Sequence, residues 1–241
     1  MYGIDIAQDL PSHHKLFKFI ADHTKLSVPK VLELGDGTSI FHSPYIVVSE
    51  VAGVPPRRGE LTNEMAFDLG DYVGALHALA FDRWGQIGGD GKGGCDEWWN
   101  EVVLFMKSTV ASQFASEQVM LERLDSIVKQ VETLPPPKSF VPIMSDIGWR
   151  QFLSLKGRLS AVVDLETYAI GPREVELVLL EAMLTAESVQ EFVAGYSSHM
   201  QLPSLAELRE VYRFFCHVVG APGVAVLEDW EKYPPLLEFG V

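Results

Sequence analysis

Asp146 and Asp164 lie on either side of a short apolar hairpin. Residues 140–143 read as a strand, and residues 152–155 and 159–163 flank Lys156-Gly157, a dipeptide suited to closing two antiparallel strands. Both carboxylates therefore fall at strand ends, where they can meet at the mouth of one cleft. There one carboxylate can accept a proton while the other holds a hard cation such as Mg²⁺. On spacing alone, aspartates at strand ends are more often turn residues or helix caps. The long pattern around them is what gives the pair chemical meaning.

The flanking elements can be read in order. Ser12 is placed to cap a helix over 13–22 with Leu16, Phe17 and Ile20 on one face. Strands over 31–34 and 45–48 follow, the second ending at Ser49, Glu50 and Val51. Thr62 caps a core helix carrying Met65, Leu69, Tyr72, Val73 and Leu76 at helical spacing. Helices from Asp96 and over 114–131 form a hairpin stopped by Pro135-Pro136-Pro137. Trp98 and Trp99, at helical spacing, are read as core residues. Further helices span 175–184, 188–200 and 204–219, and the tail from Asp229 is expected to lie on the surface.

Two tempting sites are set aside. His13 and His14 are adjacent, so on a helix they point about 100° apart and miss the i, i+4 geometry of a helical zinc site; both are expected to be solvent-exposed. The glycine-rich run over 85–94 follows a helix and lacks the Ser/Thr after its lysine, so it reads as a surface loop and not as a phosphate cradle.

The stretch Met144-Ser145-Asp146-Ile147, Gly148-Trp149-Arg150-Gln151, hairpin, Val163-Asp164-Leu165-Glu166 and Gly171-Pro172-Arg173-Glu174-Val175-Glu176 resembles the catalytic and metal-binding segment of the aminoglycoside phosphotransferase and choline kinase-like family. The family pattern runs His-Gly-Asp-Leu, three residues, Asn, hairpin, Ile-Asp-Trp/Phe-Glu. The resemblance covers about 13–180 and implies an α+β, protein-kinase-like fold of the small-molecule phosphotransferase type. A remnant N-lobe over 1–52 would sit on a mostly helical C-lobe over 53–241. It also implies ATP and Mg²⁺ as cofactors and transfer of phosphate to a hydroxyl of a small molecule. Asp146 takes the place of the catalytic base, and Asp164 and Gln151 take those of the metal ligands. Ser49, Glu50 and Val51 fall at the hinge that meets the adenine, and Glu166, Glu174 and Glu176 form an acidic surround for a cationic substrate. His77 matches a family histidine read as a structural hydrogen-bonding residue.

The departures shape the expectations. Met144-Ser145 stand for His-Gly. Gln151 stands for Asn, keeping the amide oxygen but carrying it one methylene further. Three strands, a phosphate-covering loop and a lysine that precede the first helix in the family have no counterpart after Met1, and these normally supply much of the charge neutralisation in phosphoryl transfer. The competing reading is a catalytically inactive pseudokinase that binds a small molecule or a protein, and a third has the sequence continuing upstream of Met1. With those covering strands absent, the edge of the strands over 31–34 and 45–48 is expected to pair with another copy or a partner.

Composition narrows the remaining classes. Nineteen basic against thirty-three acidic residues give a net charge of −14, which repels nucleic-acid phosphates and anionic membrane surfaces. Cys95 and Cys216 are too few for a disulfide framework, and no apolar run has the length of a membrane span. The expected location is the cytoplasm.

Overall fold

A computed structural model describes residues 1–2, 10–37, 42–57, 61–221 and 226–238. Helix α1 (Leu10–His23) buries Leu10, Leu16, Phe17 and Ile20. It begins ahead of Ser12, which lies in its first turn and is not its cap. Strands β1 (Val31–Gly35) and β2 (Tyr45–Val48) pair antiparallel, Val31 against Val48. Helix α2 (Asn63–His77) is capped as its sequence predicts: the Thr62 hydroxyl accepts the Met65 N–H at 3.1 Å.

Strands β3 (Gly85–Gln86), β4 (Val141–Met144) and β7 (Tyr168–Gly171) form an antiparallel sheet in the order β3-β7-β4. Between β4 and β7 the chain makes the expected hairpin, β5 (Phe152–Leu155) with β6 (Arg158–Val162). Lys156 at φ 54° and Gly157 at φ 78° both occupy the left-handed region, as a two-residue turn matched to strand twist requires.

Helices α3 (Trp98–Gln113) and α4 (Gln118–Val131) make the helical hairpin, and α5 (Arg173–Glu181), α6 (Val189–Ser197), α7 (Arg209–Val218) and α8 (Leu227–Glu231) complete the lower body. Residues 114–117 are a turn and not the start of α4. Helices α2 and α6 cross almost backbone to backbone: a Cβ on Gly70 would lie 2.0 Å from the Phe192 carbonyl oxygen, and one on Gly195 2.1 Å from that of Phe67. Trp98 and Trp99 are core, as read; Trp99 stacks on Tyr212, whose hydroxyl accepts the Trp98 indole N–H at 3.2 Å.

The tail from Asp229 lies on the surface as expected, most of its described residues exposed, and is pinned there by buried side chains. Leu227, Trp230 and Leu237 are buried. The Arg213 guanidinium donates to the carbonyls of Trp230 at 3.0 Å and Tyr233 at 2.8 Å, and the Leu237 N–H donates to Glu181 at 3.0 Å. Buried Glu181 also accepts from Arg209 and Arg213. A carboxylate out of water needs several donors, and this one recruits the tail to supply one of them.

The β5–β6 hairpin joins the upper and lower parts. Val54 and Ser154 exchange backbone bonds at 3.0 and 2.8 Å, and Ser27 bridges Ala161. From below, Asp68 on α2 accepts from the Arg158 Nε at 2.7 Å and from the Leu159 N–H at 3.0 Å, and the Thr62 hydroxyl donates to the Gly157 carbonyl at 2.9 Å. Both aspartates are therefore displayed from a braced support. Among the described residues no helix is long and apolar enough to cross a membrane.

Candidate active site

Asp146 leaves the end of β4 in a loop that closes with a short helical turn, Trp149–Gln151. Its carboxylate is partly buried and accepts three hydrogen bonds. Arg150 donates to Oδ2 at 3.1 Å, Gln151 Nε2 to the same oxygen at 3.3 Å, and the Thr167 hydroxyl to Oδ1. A carboxylate has about four lone-pair sites, so these donors fix its orientation and leave room for roughly one more. Asp146 lines a cavity of about 260 Å³ together with Tyr2, Phe105, Val175, Phe215 and Cys216.

Strand β4 is held beneath this loop by a buried polar chain. Glu176 accepts the Met144 N–H at 2.8 Å with one oxygen and the His77 Nε2–H at 2.7 Å with the other, leaving His77 Nδ1 to accept from the Tyr196 hydroxyl at 3.0 Å. His77 is thus the structural residue its sequence position implies. Glu176 is 2 % exposed, and its expected place around a substrate does not hold, because both oxygens are committed inside the protein. Met144 itself is wholly buried; the position contributes packing.

Asp164 is exposed and adopts a left-handed backbone, φ 61°, at the start of the turn Leu165–Thr167. That conformation is uncommon for a residue other than glycine, though aspartate is among those that tolerate it. The same turn delivers Thr167 to Asp146, so the two aspartates are linked through it. Gln151 is fully buried; its amide nitrogen goes to Asp146 and its Oε1 has no partner.

Glu166 is half-buried and lines a space of about 20 Å³, the size of a single water, together with Ser12, His13 and Gln86. Burial lifts its carboxyl above the usual carboxylate range; its own backbone amide and His13 oppose this, and the charge of Asp164 adds to it. One Glu166 oxygen and His13 Nδ1 are buried there without a partner. His13 is therefore buried, contrary to the exposed position expected of it, because α1 turns this face onto the Leu165–Thr167 turn; His14 is exposed. Glu174 sits in the first turn of α5 beside Arg173, 3.4 Å away, and does not line the cavity at Asp146. The three glutamates thus have three separate settings and form no common acidic surround.

At the hinge the Ser49 N–H is given to the Lys30 carbonyl at 2.8 Å and the Ser49 hydroxyl accepts the Lys30 N–H at 2.9 Å. Glu50 is exposed and Val51 partly buried. The glycine-rich run begins as strand β3, with Ile87 in the core, and only residues 88–92 form a surface turn, the Lys92 N–H donating to the Trp84 carbonyl at 2.7 Å; the reading as a loop throughout is corrected by the pairing of β3 with β7.

Sequence reasoning did not single out Thr167 or the walls of the cavity. The i, i+4 spacing of Asp146 and Arg150 was a signal for that contact. For Thr167 and the aromatic walls there was none, since they come from distant elements. Among the described residues no group of three or more His, Cys, Asp or Glu side chains is placed to hold a metal.

Comparison with known proteins agrees with this architecture. No curated protein sequence matches the chain. Solved structures do. Macrolide 2′-phosphotransferase MphH from Brachybacterium faecium, as the apoenzyme, superposes with a TM-score of 0.60 at 16% identity over 90% of this chain and 72% of that one. The GDP complex of aminoglycoside 2′-phosphotransferase-IIIa gives 0.62 at 16% identity over 88% and 73%. The streptomycin–ATP complex of APH(2″)-IIa gives 0.60 at 13% identity over 89% and 76%. These likenesses establish a kinase-like α+β fold. The sequence model of the phosphotransferase enzyme family, APH, matches residues 5–214, and the chain belongs to that family.

Proposed function

We propose that the protein transfers the γ-phosphoryl group of a nucleoside triphosphate to a hydroxyl group of a small molecule. The observation that carries this reading is Asp146, held by three donors and lining a cavity of about 260 Å³. An acceptor hydroxyl placed there would give its proton to Asp146 as its oxygen bonds to the γ-phosphorus and the bond to the diphosphate breaks. Arg150 and Thr167 keep the carboxylate turned toward the acceptor.

Asp164 and Gln151 are the residues that would hold a magnesium ion. Asp164 is exposed, and the buried Oε1 of Gln151 lacks a partner; both are hard oxygen donors of the type Mg²⁺ takes. When bound, the ion would neutralise charge on the triphosphate. Nucleotide binding is supported by the GDP and ATP complexes of structural neighbours. At the hinge the base would be met by the Ser49 carbonyl and the backbone of Val51, because the Ser49 N–H already has a partner.

The test is Asp146→Asn. Removing a general base lowers turnover by roughly 10² to 10⁴ fold, and the thermal melt should barely change, since the amide keeps the shape and one oxygen acceptor. Transfer from Mg-ATP or Mg-GTP to a panel of alcohols reads the effect. Turnover that persists unchanged in the variant refutes the role of Asp146. Nucleotide binding with no transfer to any acceptor would instead identify a pseudokinase.

A further inference from the structure

The cavity beside Asp146 differs in kind from the acidic surround that the sequence led us to expect. Its described lining includes Phe105, Val175, Phe215, Cys216 and Val219, with Met1, Tyr2 and Ser145 beside them. Asp146 is the one carboxylate among the described lining residues. Glu176 is spent on His77 and Met144, Glu174 lies beside Arg173, and Glu166 faces another space. A neighbouring cavity of about 310 Å³ shares Phe105 and carries Glu97 and Glu101, but also Lys92, whose ammonium sits 5.6 Å from the centre of the Trp84 ring.

Resting on the phosphotransferase reading above, we propose that the acceptor is an alcohol carried on an apolar, uncharged body, and not a polycation. A polyamine entering this cavity would shed the water around several ammonium groups and meet a single carboxylate that must itself take up the acceptor proton, so desolvation would go largely uncompensated. An apolar body releases water from both surfaces instead. Tyr2 contributes a buried aromatic ring to the lining; its hydroxyl is enclosed beside Gly171.

The experiment compares 2-(2-naphthyl)ethanol with kanamycin on the full chain. Binding is followed by naphthalene fluorescence and calorimetry, and transfer by labelled phosphate from Mg-ATP. Saturable binding of the naphthyl alcohol, at least about tenfold tighter than that of kanamycin, is expected. Phe105→Glu and Val219→Asp should each weaken it by about tenfold or more by placing a charge in the wall. Val219 is 37 % exposed, so its variant folds even if Phe105→Glu does not, and thermal melts report which proteins are intact. Tighter binding or preferential phosphorylation of kanamycin overturns the inference, as does absence of naphthyl alcohol binding or its indifference to Val219→Asp. Wall-sensitive binding of the naphthyl alcohol with no phosphate transfer to any acceptor would uphold the ligand class and overturn the phosphotransferase reading alone.

Discussion

The β1–β2 ribbon and the helical body below the hinge are both built from patterned apolar residues, and they bury them to opposite extents. In the lower body, Leu69, Val102, Ile127, Phe152 and Val211 are fully enclosed. In the ribbon, Leu32 is 64 % exposed and Leu34, Val47 and Val48 stand near 40 %. The ribbon is two strands wide, and such a ribbon has little stability of its own. What keeps it in place is lateral: α1 on one side, and the backbone bridges from Ser27 and Val54 to the β5–β6 hairpin. A shared pattern of side chains thus gives a rigid core where other elements cover it and an open apolar face where none does among the described residues. The difference bears on the proposed chemistry, because Asp146 and the acceptor cavity belong to the rigid part while the hinge belongs to the open one.

The comparison is tested most severely at its rigid end. Glu176→Ala would strand the His77 ring and the Met144 N–H inside the protein and leave a void, and should cost about 3 to 5 kcal/mol by denaturant titration. A loss below about 1 kcal/mol would mean that this polar chain does not anchor β4. Gly70→Ala comes next. Its new methyl would press on the Phe192 carbonyl of α6, and because backbone cannot rotate away as a side chain can, about 1 to 3 kcal/mol or more should be lost. Unchanged stability would show that the two helices can slide apart.

Changes in the ribbon should be almost silent for folding. Leu32→Lys together with Leu34→Lys should alter stability by no more than about 0.5 kcal/mol per site, while abolishing any concentration-dependent rise in mass by light scattering. The bare strand edge and its exposed face are the features expected to drive self-association. A wild-type chain that stays monomeric at all concentrations removes that role from the face.

The smallest effect concerns His217 on α7. Burial holds its imidazole below the ordinary value of 6.5, against the pull of Glu117, Glu228 and Glu231. The unfolded chain therefore takes up a proton there before the folded one does. Stability should rise gently with pH from the depressed value up to about 6.5 and level off above it. His217→Gln should flatten that slope; a slope unchanged in the variant would place its origin elsewhere.

Local rules carried the reading of this protein a long way. The Thr62 cap, the Lys156-Gly157 turn and the helical spacing of Met65, Leu69, Tyr72, Val73 and Leu76 are set by near neighbours along the chain, and each stands where the sequence puts it. The pattern from Met144 to Glu176 was enough to identify the family, because a catalytic loop and its hairpin form one continuous stretch. Helix ends were less legible: α4 starts later than the reading over 114–131, and α1 starts earlier than its Ser12 cap signal indicates, since a buried Leu10 outweighs an available Ser12.

Questions of which distant residues meet were settled only by the tertiary structure. Glu174 and Glu176 look alike in sequence, but one lies beside Arg173 and the other is sealed against His77, 99 positions away. Thr167 reaches Asp146 through a turn whose direction depends on the left-handed backbone of Asp164. The tail from Asp229 reads as a surface segment and lies there, but its anchoring through buried Trp230 and Leu237 and through bonds to Arg213 and Glu181 is not legible in its own residues. The apolar side chains that line the cavity beside Asp146, with Tyr2, Phe105, Val175 and Phe215 among them, come from elements spread along the chain. Burial and pairing are properties of where the chain returns to itself, and no local spacing records them.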